Sequence, residues 1–576
     1  MPGPYLYPGV YVEEIPSGVR PIAGASTSDT AFVDYFPRGT IDRAVRLTSW
    51  ADFEREFGGL DLNSEASYAI QQYYLNGGRI AWVVRVVAPD AEAASRVLSG
   101  TQVYPGMSGV GASGGGGGGD ILTVTASSPG AWGNALQVAI DYRGVPQSAG
   151  SPAAFNMVVR EVTETGGKRV VVASETFRNL SVDANSSRYV ETVVNRDSTL
   201  VQVAYSGGGA LPSPTGADIV GDPSHALWLI LGQGGYQDGD QVKPAEPAWG
   251  AITFTAGDDG TTPDTEDWAN TAGAAALLGQ DGTGTAANDG IYELERIAPN
   301  VFNLLCIPAA AKLSANSMKS VWAAAATLCE DKRAFLLVDI PEDVKSVTKM
   351  IDWVNGEAKP QTNHAAVYFP RVQIPDPLKG NDLRSVGPSG TVAGIYARTD
   401  ADRGVWKAPA GIEAGLRNAT LPVKLTDLET GALNPIGANV LRSFPIYGNV
   451  VWGARTLEGA DQQASEWKYV PVRRMALFIE ESLYQGLKWV VFEPNDAPLW
   501  AQIRLNVGAF MQGLFRQGAF AGTTPREAYL VKCDSETTTQ ADVNLGIVNI
   551  IVGFAPLKPA EFVIIKLQQL AGQVQV

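Results

Sequence analysis

Two patterns of hydrophobic and polar positions alternate along this chain, and they predict different elements. Residues 30–34 (TAFVD) and 80–87 (IAWVVRVV) are runs too apolar to be solvated on both faces, so they predict buried strands. Between them, 50–57 has helical spacing and stops at Gly58-Gly59. Ser64 is placed to cap a second helix whose apolar face includes Ala69, Ile70, Tyr73 and Tyr74 and which ends at Asn76-Gly77-Gly78. The alternation returns as strand 301–307, helix 314–329, strand 334–340, helix 344–355 and strand 365–368. That order predicts βαβ units and a parallel sheet. Between these blocks, 121–125, 136–142, 155–163 and 169–174 read as strands, the last two joined at Gly166-Gly167 as a hairpin, and 206–250 is Gly-, Ser- and Pro-rich. Towards the end come helices over 467–489 (Met475, Phe478, Ile479, Leu483 and Leu487 apolar) and 500–515, then strands over 529–533, 543–552 and 561–570.

Both ends carry a short β-type run set apart from the nearest compact block. Val10, Tyr11 and Val12, followed by Glu13 and Ile15, are bracketed by Pro2, Pro4, Pro8 and Pro16. Proline keeps such a strand out of a sheet interior and extends the chain approaching it. At the other end, Glu561, Phe562, Val563, Ile564, Ile565 and Leu567 follow Pro556 and Pro559. A strand with no partner leaves its backbone groups unpaired. Pairing with neighbouring copies meets that need by β-augmentation, and a head-to-tail contact that does not close builds a helical filament.

Composition narrows the chemistry. The chain has 576 residues, about three or four domains' worth, with 63 Gly and 35 Pro, and its 60 acidic against 44 basic residues give a net charge of −16. No dense basic tract is present, which argues against nucleic acid or an anionic membrane as partner. Cys306, Cys329 and Cys533 are scattered and only two histidines, His225 and His364, occur, so neither a disulfide framework nor a metal site is expected. The first residues lack a basic stretch leading into an apolar core, and the longest apolar run, near 547–554, is too short to span a bilayer, so neither a signal peptide nor a membrane insertion is expected.

Four constellations invite a test. Gly109, Gly111 and Gly114 give the spacing of a dinucleotide fingerprint, but no strong strand precedes them and poly-Gly does not open a helix. The acidic stretch Asp258, Asp259, Asp264, Glu266 and Asp267 lacks the alternate spacing of a calcium loop. Gly166-Gly167-Lys168-Arg169 lacks the full phosphate-loop motif. Asp339, His364 and Ser389 follow the chain order of one class of serine proteases, the hydrolase alternative, yet none sits in the local motifs those enzymes use. No catalytic residue and no cofactor is therefore expected.

The segments PGVYVEEIPSG, TAFVDYFPRG and SEASYAIQQYYLNGGRIAWVVRV near the start, with SEWKYVPVRRMALFIEESLYQGLKWVVFEPNDAPLW and IVGFAPLKPAEFVIIKLQQL near the end, resemble the tail sheath proteins of contractile bacteriophages and related injection particles. The resemblance covers roughly the first 90 and last 330 residues. It implies a multidomain fold, α/β and α+β: an N-terminal arm (1–20), a sheath core built from N- and C-terminal segments (21–100 and 446–558), a β-rich outer insert (101–250), a middle α/β domain that is subtilisin-like but non-catalytic (251–445) and a C-terminal arm (559–576). It further implies a subunit that stacks as hexameric rings into a helical sheath around an inner tail tube, meets baseplate and tail-terminator proteins, and contracts to drive the tube through a target envelope. The two arms would tie each subunit to its neighbours, and Lys468, Arg473, Arg474 and Lys488 are the tube-facing candidates. Assembly in a bacterial cytoplasm follows, in a phage tail or a released bacteriocin-like or secretion-type particle.

Overall fold

The computed structural model describes residues 20–567 except 42, 101–119, 149–150, 246–251, 281–288, 298–300 and 357–358. Its centre is an eight-stranded sheet. The strands are β1 (Thr30–Tyr35), β2 (Val45–Leu47), β3 (Ala81–Val86), β4 (Leu304–Cys306), β5 (Phe335–Val338), β6 (Ala365–Phe369), β7 (Asn439–Phe444) and β8 (Gly448–Val451), in the order β2-β3-β1-β4-β5-β6-β7-β8. The six inner strands are parallel, and β2 and β8 run antiparallel at the two edges.

Both faces of this sheet are covered, which is why its strands read as unbroken apolar runs. Successive residues point to opposite sides. Phe32, Leu304, Cys306, Phe335 and Leu337 join one core, with Tyr68, Tyr73, Val392 and Tyr396 from helices α2 (Glu65–Asn76) and α5 (Ser389–Arg403), alongside α1 (Trp50–Phe57). Ala31, Val33, Leu305, Leu336 and Val338 join the other, with Met318, Trp322 and Met350 from α3 (Ala315–Asp331) and α4 (Val347–Asn355). The expected helix stops hold: Ser49 and Ser64 cap α1 and α2 through their side chains, and Gly58 and Gly77 end them at positive φ.

Strand β1 pairs directly with β4, so residues 30–86 and 304–451 form a single sheet, and its last strand β8 already belongs to the C-terminal segment. Val470 and Leu477 of the C-terminal block pack into the core that holds Phe32 and Tyr73, and the chain just ahead of β1 reaches the block as well. There the Arg20 N–H donates to Asn506 at 3.2 Å, the Arg20 guanidinium lies 4.6 Å from the Trp489 ring, and Ile22 enters the core of helices α6 (Val470–Gly486) and α7 (Ala497–Arg516).

The insert is β-rich, as its alternation predicts, and it has its own core. Strand Ser95–Ser99 pairs antiparallel with Phe254–Thr255, so the chain leaves and re-enters the body at neighbouring points. Buried Arg85 ties the insert down, donating to the carbonyls of Phe36 (2.7 Å), Gly39 (2.9 Å) and Pro129 (2.7 Å).

Candidate functional site

The C-terminal block ends in a two-stranded antiparallel sheet of β9 (Tyr529–Lys532) and β10 (Ile551–Phe554). Among the described residues no further strand pairs with either outer edge, and Leu530 and Ile551 are half exposed. The strand expected over 543–552 is confined to β10. Thr539 and Asp542 form a capping box, which makes Gln540–Asn544 a helix instead.

After β10, the Ala555 N–H donates to the Ala528 carbonyl at 2.8 Å. The segment beyond makes no strand within the chain among described residues up to 567, against the expectation for 561–570. Glu561 is its anchor. Its carboxylate accepts from Arg455 Nε at 2.8 Å and Nη2 at 2.6 Å, and from the Tyr469 hydroxyl at 3.2 Å. Burial alone would raise this carboxyl, but the bonds and charge of Arg455 outweigh it and hold Glu561 below its usual range. The next residues touch little: Phe562 is 75% exposed, Val563 82%, Ile564 80%, Ile565 79% and Leu567 93%. The N-terminal candidates Val10, Tyr11, Val12, Glu13 and Ile15 lie outside the described residues.

Two tube-facing candidates are corrected. Arg473 and Arg474 are buried within the subunit rather than displayed on a helix surface, because α6 turns this side against the central sheet's helices. Arg474 forms an ion pair with Asp400 at 2.6 Å, donates to the Thr27 carbonyl and lies over the Tyr396 ring. Arg473 meets His364 Nε2 at 2.7 Å and the Trp467 ring at 4.7 Å. Burial lowers the Arg473 guanidinium, and burial, aided by the Arg473 charge, pushes His364 down to about 4. Lys468 pairs with Asp461 at 2.7 Å. Lys488 remains exposed, 5.3 Å from the Tyr484 ring. The apolar neighbours Val470 and Leu477, one helical turn either side of Arg473 and Arg474, were the available signal that this face is buried.

The Asp339, His364 and Ser389 constellation does not assemble as a triad. The Ser389 hydroxyl donates straight to Asp339 Oδ2 at 2.5 Å and its N–H to Oδ1 at 2.9 Å, while the His364 ring is engaged by Arg473. No base stands between acid and serine, and both are buried. The pair instead fixes the first turn of α5 to the end of β5; burial pushes Asp339 up to about 6. Beside it, Glu65 accepts from the Gly387 N–H at 2.6 Å and pairs with Arg371. Among the described residues no group of three or more His, Cys, Asp and Glu is arranged to hold a metal, and no helix is long and apolar enough to cross a membrane. The acidic loop is bound internally, Asp259 accepting from Ala131 N–H at 3.0 Å. The glycine run 109–119 lies outside the described residues.

Residues 462–569 match the family described as the phage tail sheath C-terminal domain. A protein of Pseudomonas aeruginosa (strain UCBPP-PA14), designated a prophage major tail sheath protein, is 28% identical over 195 residues, 33% of this chain and 48% of its own length. The tail sheath protein of Vibrio phage KVP40 is 31% identical over 139 residues, 24% of this chain and 20% of its own. The chain thus spans less than half the length of these curated relatives. Across the whole fold it is similar to a PVC sheath complex of an extracellular contractile injection system solved in the contracted state, with a TM-score of 0.52, 19% identity and 98% coverage of both chains.

Proposed function

We propose that this chain is the structural subunit of a contractile tail sheath, polymerising as stacked hexameric rings around an inner tube and contracting to drive that tube through a target envelope. The observation that carries the reading is the exposed apolar run 562–567, strand-forming in composition and paired with no strand among the described residues, a few residues after a two-stranded sheet whose edges are open among those residues. The tail sheath match over 462–569 encloses both. In this reading the arm of one copy adds a strand to the β9–β10 sheet of the next, where backbone hydrogen bonds give affinity and exposed Leu530 and Ile551 receive its apolar side chains. Residues 10–15 serve as the matching N-terminal arm. Such a joint holds neighbours together while the covered central sheet moves as a rigid unit. Contraction needs no nucleotide and no catalysis, because the free energy lies in a kinetically trapped array.

Of the cationic candidates, Lys488 is the one left to meet an inner tube, through a contact exposed enough to be released. Baseplate and terminator proteins are the remaining partners, and assembly takes place in the bacterial cytoplasm. The same reading covers an infectious phage and a headless injection particle. Negative-stain microscopy of the purified chain is expected to reveal tubes or sleeves. A chain lacking 562–576 is expected to stay folded and not to polymerise; tubes from that truncated chain would refute the arm model.

A further inference from the structure

Ala555 is bonded to Ala521 and Ala528 and Pro556 bridges to Phe520, and among the described residues no backbone hydrogen bond is found from Lys558 to Leu567. From Leu557 the segment runs along a cavity of about 800 Å³ whose walls include Arg403, Trp406, Trp452 and Tyr469, with Lys558 and Ala560 exposed. Its polar attachment is concentrated at Glu561, immediately before the exposed run. The partner on the body is unusually fixed: Arg455 is 1% exposed and donates also to Asp461 at 2.9 Å and to the Asn434 carbonyl at 2.9 Å.

We propose that Arg455 and Glu561 form a latch that pins the root of the C-terminal arm to its own subunit and sets the point and direction from which residues 562–567 leave for a neighbouring copy. The proposal rests on the arm reading above. It assigns Glu561 to contacts within the subunit, so the part offered to a neighbour begins at Phe562. Two parallel N–H···O bonds from a planar guanidinium fix orientation as well as position, which a lysine does not do. Unpinned, the strap from Leu557 to Glu561 would sample many directions, and the arm would be diluted over the volume it sweeps. Pinning removes that freedom before assembly and raises the arm's effective concentration at the receiving sheet.

The test uses the full-length unassembled subunit with spin labels at Ala560→Cys and Gln463→Cys, read as a distance distribution by pulsed electron paramagnetic resonance. With Glu561 in place, a single narrow distribution is expected; Glu561→Gln is expected to broaden it severalfold with an unchanged thermal midpoint. In unlabelled chains, Glu561→Gln is expected to raise the concentration needed for tube formation about tenfold. Arg455→Lys tests the fork geometry and is expected to give the same broadening. Equal widths with and without Glu561 would overturn the latch. Broadening with an unchanged assembly threshold would overturn its positioning role while leaving the arm reading intact. Tube formation by the chain lacking 562–576 would instead bring down the arm reading itself, and the latch with it.

Discussion

Two four-residue segments of nearly the same composition have opposite fates in this molecule. Phe335-Leu336-Leu337-Val338 forms β5, lies between β4 and β6, and is 0–1% exposed. Phe562-Val563-Ile564-Ile565 is 75–82% exposed and pairs with no strand among the described residues. Composition alone does not distinguish a core strand from an arm; what differs is whether the chain supplies flanking strands and covering helices. The first segment gains its stability at folding, through burial on both faces. The second leaves the same kind of apolar surface uncovered in the subunit, and in the proposed arm account another copy buries it.

The largest contrast is expected from matched truncations. Phe335→Ala removes a fully buried ring and should cost about 3–5 kcal/mol of folding stability, measured by urea unfolding of the unassembled subunit. Phe562→Ala should change that stability by less than about 0.5 kcal/mol and weaken assembly instead. Equal stability losses at the two sites would break the comparison.

A second probe moves from apolar to ionic burial. Asp400→Ala leaves the buried Arg474 guanidinium without its carboxylate, with an expected loss of about 3–5 kcal/mol; Arg474 and Asp400 side chains are both 3% exposed. Lys488→Ala, on the exposed end of the same helical block, is expected to leave stability unchanged.

The smallest effect is a pH dependence inside the body. Asp34, at the end of β1, accepts from the N–H groups of Ala66 and Tyr35, both at 2.7 Å, and burial raises it to about 7. A carboxyl raised in the folded state binds its proton more tightly there than when unfolded. Its contribution is therefore most favourable below the unfolded value near 4 and declines as pH rises to about 7. His364, lowered to about 4, works in the opposite sense between pH 4 and 6.5, because the unfolded imidazole takes up the proton. Comparison with Asp34→Asn separates the two: from pH 5 to pH 8 the native chain should lose stability relative to the variant. A pH-independent difference would remove the burial argument for Asp34.

Much of the body was legible in the chain because its signals are local. Capping serines, terminal glycines and apolar runs gave α1, α2 and the strands 304–369 to within a few residues. Long-range pairing was not: nothing near Thr30 indicates that β1 lies beside Leu304, more than two hundred residues on, since a strand's neighbours are chosen by packing. Arg473-Arg474 misled for a related reason. Two adjacent cations on a helix suggest a solvated face; apolar Val470 and Leu477 one turn away hint otherwise, and the approach of Asp400, His364 and Trp467 from other elements shows what pairs with the buried cations. The C-terminal run reads as strand-forming, yet its described residues form no strand and are exposed, an outcome set by what the folded subunit packs against it and not by local composition.

Cross-linking in mixed assemblies tests most directly whether the arm pairs between copies. Tubes are assembled from equal amounts of ¹⁴N- and ¹⁵N-labelled chains and treated with a short lysine-reactive reagent. Lys566 on the arm and Lys532 on β9 are the reporting pair. The arm account expects Lys566–Lys532 cross-links joining light to heavy chains as often as chains of like label. Cross-links found only within chains of one label would mean that the arm folds back on its own subunit, and would contradict it.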